Sequence, residues 1–346
     1  MKKTVFVGIL LTFSIDLFSQ GVTIPPYESL LVELSQSGVP AIGVGVIENG
    51  KLTKNIVVGE LAKGFPAQKD AIFDTASITK SITTLLTMRL VSLGLFDLDE
   101  PLFSYWIDPD VINHPYSKLI TARHILGHTT GFKNWRYLEE DGKLKFHFEP
   151  GEKVQYSGEG CEYLKEALSR KLGQPFEDLV SKYVFSTYDM TSSHVIWNDN
   201  IDHSKIAIAH NIEREPYFFD VEERKSSSAA DNFLTTVEDL GSFGISVLNK
   251  VGLTDEVYNE MIKPGAEFRE GVAFGLGWLV FEDLDNGEYA LLSAGSDQGV
   301  NAIILILPKS RRGLIALTNG DGGRKIVMGL IGRSMNVGQE ILSRLK

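Results

Sequence analysis

The sequence predicts a mixed α/β (α+β) protein in which an antiparallel sheet, built from both ends of the chain, is flanked by helices and interrupted by a largely helical insertion. Three observations carry this reading. Residues 41–60 read AIGVGVIE, Asn49-Gly50, KLTKNIVVGE, which is a hairpin whose Asn-Gly pair suits a tight primed turn. Between residues 77 and 93, Ile78, Ile82, Leu85, Leu86, Leu90 and Leu93 recur at helical spacing. Asp74 and Thr75 precede that run as cap candidates and Gly94 closes it. The last third holds four strand-like runs, FGLGWLVFED, EYALLSAG, NAIILILP and GLIALTNG, followed by a helical pattern over about 324–346. Strands at both ends with helices between them require one shared sheet.

The middle of the chain adds helical stretches at 160–172 and 236–248, separated by polar, aromatic-rich loops around 105–147 and 197–230 that are expected to form cleft walls. One domain is expected over 28–346, with sheet parts at about 28–75 and 235–346 and the helical part at about 76–234. Residues 1–19 have the pattern of a signal peptide. Lys2 and Lys3 precede an apolar run at 5–13 that is too short to span a bilayer, and Ser19-Gln20 offers a small residue at the cut. Export to the periplasm or the extracellular space is therefore expected, with no integral membrane segment after cleavage.

With 34 Lys and Arg against 45 Asp and Glu, the chain carries a net charge of −11, which disfavours phosphate backbones and makes nucleic acid a poor partner. A single cysteine excludes an internal disulfide framework and a cysteine-rich metal site.

Chemistry concentrates at Ser77-Ile78-Thr79-Lys80, where the apolar helix begins. Residues three apart share a helix face, so the Lys80 amine reaches the Ser77 hydroxyl, and the unpaired N–H groups of a helix start favour negative charge there. A lysine held among Ile82 and its neighbours loses solvation, which favours the neutral amine able to accept the serine proton. The spacing alone does not assign a role, because Ser343-Arg344-Leu345-Lys346 repeats it on the terminal helix.

The surrounding segments are more specific. FDTASITKSITTLL, GLFDLDEPL, ITARHILGHTTGF, PGEKVQYSGEGCEYL, FSTYDMTSSHV and FGLGW occur in this order. Together they resemble the penicillin-recognising serine hydrolases: class C β-lactamases, D-alanyl-D-alanine carboxypeptidases and related carboxylesterases. The resemblance covers most of the chain after residue 28 and implies a β-lactamase/transpeptidase-like fold. It makes Ser77 the acylated nucleophile, Lys80 its basic partner and Tyr156 a second candidate for the proton acceptor. It implies a small-molecule acyl substrate, with no metal and no organic cofactor.

Two motifs depart from the family pattern. The second motif, usually Tyr-x-Asn, has Gly158 in its last place, so no side-chain amide faces a substrate acyl-amide or orients Lys80. The third motif, usually Lys-Thr-Gly or His-x-Gly, aligns with Ser293-Ala294-Gly295 and lacks its cation. No histidine follows His210, and Lys263-Pro264-Gly265 places proline where a paired strand needs an N–H. An oxyanion hole formed by the backbone N–H groups of Ser77 and Ser296 needs no particular side chain. Ser293 is expected to hydrogen-bond Tyr156, and Arg311 or Arg312 are the cations available to compensate. These features point to an exported serine hydrolase acting on esters or related acyl compounds. The rivals are a β-lactamase or carboxypeptidase proper and a catalytically silent binding protein. His124, His128 and the lone Cys161 read as structural, and Trp135, Tyr137, Phe146 and Phe148 as pocket lining or core.

Overall fold

The computed structural model describes residues 21–218 and 225–346; the expected signal peptide and residues 219–224 of the second loop lie outside them. Helix α1 (Tyr27–Ser37) precedes the hairpin of β1 (Ala41–Glu48) and β2 (Lys51–Ala62). Its turn takes the left-handed backbone that Asn-Gly favours, with φ of 53° at Asn49 and 70° at Gly50. After the short β3 (Phe65–Pro66) and β4 (Phe73–Asp74), α2 (Thr79–Ser92) enters the helical region. That region contains α3 (Ala122–Leu126), α4 (Gly158–Leu172) and α5 (Phe176–Val180). The chain returns through β5 (Leu234–Thr235), α6 (Val237–Leu248) and α7 (Asp255–Ile262). The strands β6 (Glu267–Arg269), β7 (Val272–Phe274), β8 (Leu279–Leu284), β9 (Glu288–Asp297), β10 (Val300–Leu307) and β11 (Arg312–Thr318) follow. Helices α8 (Gly323–Ser334) and α9 (Gly338–Arg344) end the chain.

The main sheet has the order β3-β2-β1-β11-β10-β9-β8-β7-β6, so the first hairpin and the last strand meet at β1–β11. Its neighbouring strands pair antiparallel. Alternation divides each strand between two cores. Ile47, Leu291, Ile304, Ile306, Ile315 and Leu317 face the helical region with Ile82, Leu85 and Phe243. Ile42, Val44, Ile303, Leu305 and Leu314 face the opposite layer, formed by Leu30 and Leu34 of α1, Ile326 and Leu330 of α8 and Ile341 of α9. Helix α2 is buried almost all round, including Thr83, Thr84 and Thr87. Their hydroxyls donate to the carbonyls of Ala229, Lys80 and Thr83 respectively, which lets a threonine-rich helix sit in a core.

Three expectations are refined. The terminal helix is two helices, because Met335 takes extended backbone and α9 folds back with Gln339 Nε2 donating to the Gly332 carbonyl. The FGLGW run breaks between β7 and β8, where the Leu276 N–H donates to the Met261 carbonyl instead of to a strand. Thr75 caps nothing; its hydroxyl donates to the Phe233 carbonyl, tying the entrance of α2 to β5. No helix among the described residues is long and apolar enough to cross a membrane.

Candidate active site

Ser77 lies in a single 3₁₀ turn (Ala76–Ile78) that runs directly into α2. The residue before it, Ala76, has a φ of 46°, a conformation that typically costs about 1–3 kcal/mol in a non-glycine residue. Surrounding bonds hold it there. Asp74 Oδ1 accepts the Ala76 N–H at 2.9 Å, and Thr79 Oγ1 donates to the Ala76 carbonyl at 2.6 Å. The Thr75 N–H and hydroxyl both donate to the Phe233 carbonyl. One turn on, Lys80 is 4% exposed, and its Nζ donates to Ser77 Oγ at 3.0 Å and to the Ala230 carbonyl at 2.8 Å.

Tyr156 flanks the same amine, with its ring centroid 4.9 Å from Lys80 Nζ. His128 fixes the segment that carries it. The His128 ring packs on Tyr156 at 4.5 Å, its Nδ1 accepts the Ser157 N–H, and its carbonyl accepts the Gln155 N–H. Burial, assisted by the charge of Lys80, pushes the His128 imidazole down to about 3, so it is neutral at physiological pH and acts as a positioning group. Gly158 opens α4, and its N–H is accepted by both the carbonyl and Oδ1 of Asn134.

The third-motif strand closes the other side. A Cβ on Gly295 would stand 1.9 Å from the Thr75 carbonyl oxygen and 3.0 Å from the Ser77 nitrogen, so only glycine lets β9 approach the Ser77 backbone this closely. Ser293 does not serve Tyr156: its hydroxyl accepts from Ser81 Oγ at 2.6 Å, because the short side chain points from β9 straight onto the first turn of α2. Ser77, Lys80, Tyr156 and Ser293 to Ser296 share a cavity of about 480 Å³ with Phe268, Phe274, Arg324 and Met328.

Neither Arg311 nor Arg312 reaches that cavity. Arg312 pairs with Leu307, at the end of the β10–β11 ladder remote from Asn301, which does line it. The cation that sequence reasoning missed is Arg324 on α8, which is exposed and held by no ion pair among the described residues. Asp231 was missed as well. Burial, and then the charge of Asp74, pushes its carboxyl up to about 7. Neither residue carries a local motif: Arg324 reaches the cavity only through tertiary packing, and Asp231 follows Ala230, whose carbonyl accepts from Lys80, without lining the cavity. The remaining sequence candidates lie elsewhere. His124 completes a capping box with Thr121, and Cys161 is buried with its thiol pushed up to about 12 by desolvation. Phe146 packs on Phe132 and Tyr116, and Lys263 lines a separate hollow with Glu260 and Tyr289.

Half-buried Ser77 and buried Lys80 thus form a Ser-x-x-Lys pair in a cleft beside an antiparallel sheet. The chain belongs to the Beta-lactamase family, whose profile matches residues 16–329. Among curated relatives, Protein flp of Staphylococcus aureus (strain MRSA252) is 20% identical over 309 residues, covering 83% of this chain and 61% of flp. The uncharacterized protein BpOF4_21049 of Alkalihalophilus pseudofirmus is 33% identical over 115 residues, covering 33% of this chain and 32% of its own length. The chain thus spans between about a third and three fifths of these relatives. The D-alanine carboxypeptidase AmpC of Burkholderia cenocepacia shares the fold, with a TM-score of 0.72 at 17% identity over 87% of this chain and 97% of that one.

Proposed function

We propose that the protein is an exported serine hydrolase that forms an acyl-enzyme at Ser77 and acts on esters or related acyl compounds. The observation that carries this reading is the 3.0 Å contact between Ser77 Oγ and the buried Lys80 Nζ. In its neutral form the amine takes the Ser77 proton as Oγ attacks the acyl carbon and passes it on to Tyr156, whose hydroxyl proton goes to the departing alcohol as the ester C–O bond breaks, so that both groups return to their starting state. Water then attacks the acyl-enzyme by the same route and restores Ser77. The register of β9 supports an oxyanion hole. Asp297 pairs with Val300 across the two-residue turn, so the next residue, Ser296, directs its N–H away from β10. The β8 ladder ends at Leu292, leaving that edge of β9 open towards Ser77. One such donor typically contributes about 10²- to 10³-fold in rate.

A β-lactamase or D-alanyl-D-alanine carboxypeptidase is the second reading, and Arg324 favours it by offering a cation to a substrate carboxylate within the same cavity. Comparing kcat/KM for a nitrophenyl ester and a chromogenic cephalosporin separates the two. The ester should lead, and Arg324→Ala should lower the cephalosporin value by roughly ten- to a hundred-fold, the usual cost of one charge-assisted bond. Cephalosporin turnover at or above the ester rate would replace the esterase reading with the second one. Export rests on the N-terminal pattern, and native protein sequenced from Met1 would refute it.

A further inference from the structure

The space that a side chain at position 158 would occupy is already filled. A Cβ built on Gly158 would lie 2.7, 2.9 and 3.0 Å from Cη2, Cζ2 and Cζ3 of Trp135, closer than a Cβ approaches ring carbons. The missing second-motif side chain and the indole are therefore alternatives for one volume. The loop bearing Trp135 is anchored on both sides of it. Asn134 holds the N–H groups of Gly158 and Glu159, while Arg136 bonds Glu159, Asp108 and Asp110. The indole is half-buried and stacks at 6.3 Å on Tyr137, which is 71% exposed, so the pair opens to solvent at the mouth of the site.

Its centroid lies 5.8 Å from Lys80 Nζ, the atom in contact with Ser77 Oγ. Trp135 and Tyr156 both lie over the Lys80 amine, at 5.8 and 4.9 Å, and of the two only Tyr156 lines the cavity walled by Phe268 and Phe274. On the serine hydrolase reading above, the leaving group must sit beside the acid that protonates it, which is Tyr156. With the carbonyl oxygen held against β9, the acyl chain is left the Trp135 side. We propose that Trp135 is the specificity-determining residue for the acyl portion of the substrate, selecting apolar, planar acyl groups such as arylacetyl over acylamino groups.

An aromatic acyl group stacked on the indole gains roughly 2- to 12-fold. An acylamino group meets the same wall with an amide that finds no partner, a loss of roughly ten-fold or more. The test varies one end of the ester at a time. In the wild type, nitrophenyl phenylacetate should exceed nitrophenyl acetate in kcat/KM. Trp135→Ala should reduce that acyl ratio about 2- to 12-fold while leaving the naphthyl acetate to phenyl acetate ratio in place, and Trp135→Phe should restore most of it. Gly158→Ala touches no substrate, but its methyl must displace the indole, so it should lower the acyl ratio too. An acyl ratio unmoved by Trp135→Ala, or a change confined to the leaving-group ratio, would overturn the proposal. If the wild type hydrolysed no ester, the hydrolase reading would fall and calorimetric binding of phenylacetate against acetate would decide Trp135 on its own. Phenylacetate preference lost in Trp135→Ala supports it, and equal affinities refute it.

Discussion

Half-buried Asp231 and buried His128, both near Lys80, bind protons in opposite senses. Desolvation, followed by the Asp74 charge, raises the Asp231 carboxyl to about 7. Between about 4 and 7 the folded state therefore keeps a proton that the unfolded chain has lost, and Asp231 makes stability fall as pH rises through that window. Desolvation lowers His128 to about 3. Between about 3 and 6.5 the unfolded chain binds a proton that the folded state excludes, so His128 makes stability fall as pH drops. From about 4 to 6.5 the two slopes oppose each other. Asp231→Asn should therefore raise the melting temperature most at pH 8, where the wild-type carboxylate is charged, and by clearly less at pH 5. The same variant should lose stability more steeply than the wild type between pH 6.5 and 5, because the His128 slope is no longer offset. Scanning calorimetry at these pH values checks both, and an equal shift at pH 8 and pH 5 would contradict the assignment. Neither pKa was legible in the sequence: Asp231 sits in an unremarkable Ala-Ala-Asp-Asn stretch, and its proton affinity comes from burial beside Asp74 across the chain.

Helix α4 and the loop before it show how elements were read and where reading stopped. The sequence placed the helix within two residues of its observed start, and the same local logic found α2, the first hairpin and α6, which the structure shows capped by Thr236. What spacing does not reveal is that Arg136 bridges to Glu159 on α4 and to Asp108 and Asp110 on an earlier turn. Asp108 and Glu159 expose only 9% and 8% of their side chains, whereas Arg136 exposes 37%, so solvent screens part of the attraction. Arg136→Met should cost about 1–3 kcal/mol, below the 3–5 kcal/mol of a fully buried pair. It should also loosen Trp135, so the acyl ratio falls along with the midpoint of urea unfolding. A midpoint unchanged from the wild type would mean that the three carboxylates do not depend on Arg136. The Trp135–Gly158 exclusion lay beyond sequence reasoning for the same reason: Gly158 stood out as a motif departure and Trp135 as a pocket or core ring, but only the folding of the loop onto the helix sets one against the other.

At the scale of the whole molecule, the sheet brings the two ends of the chain together and the site forms where they meet the helical region. The β1–β11 pairing joins the first hairpin to the last strand. β9 then delivers the Ser293-Ala294-Gly295 motif to the Ser77 turn, with Gly295 against the Ser77 nitrogen. This plan was legible because alternating and helical periods are local properties of the chain. Arg324 was not, because it reaches the cavity only through the packing of α8 on β10 and β11. All these parts converge on one claim, that Ser77 is a nucleophile activated by Lys80. Intact-mass analysis after exposure to a fluorophosphonate tests it most directly, with peptide mapping to locate the label. The account predicts one phosphonyl adduct, on Ser77, that is absent from folded Ser77→Ala and strongly reduced in Lys80→Ala. A folded wild type that takes up no label, or an adduct retained by Ser77→Ala, would contradict it.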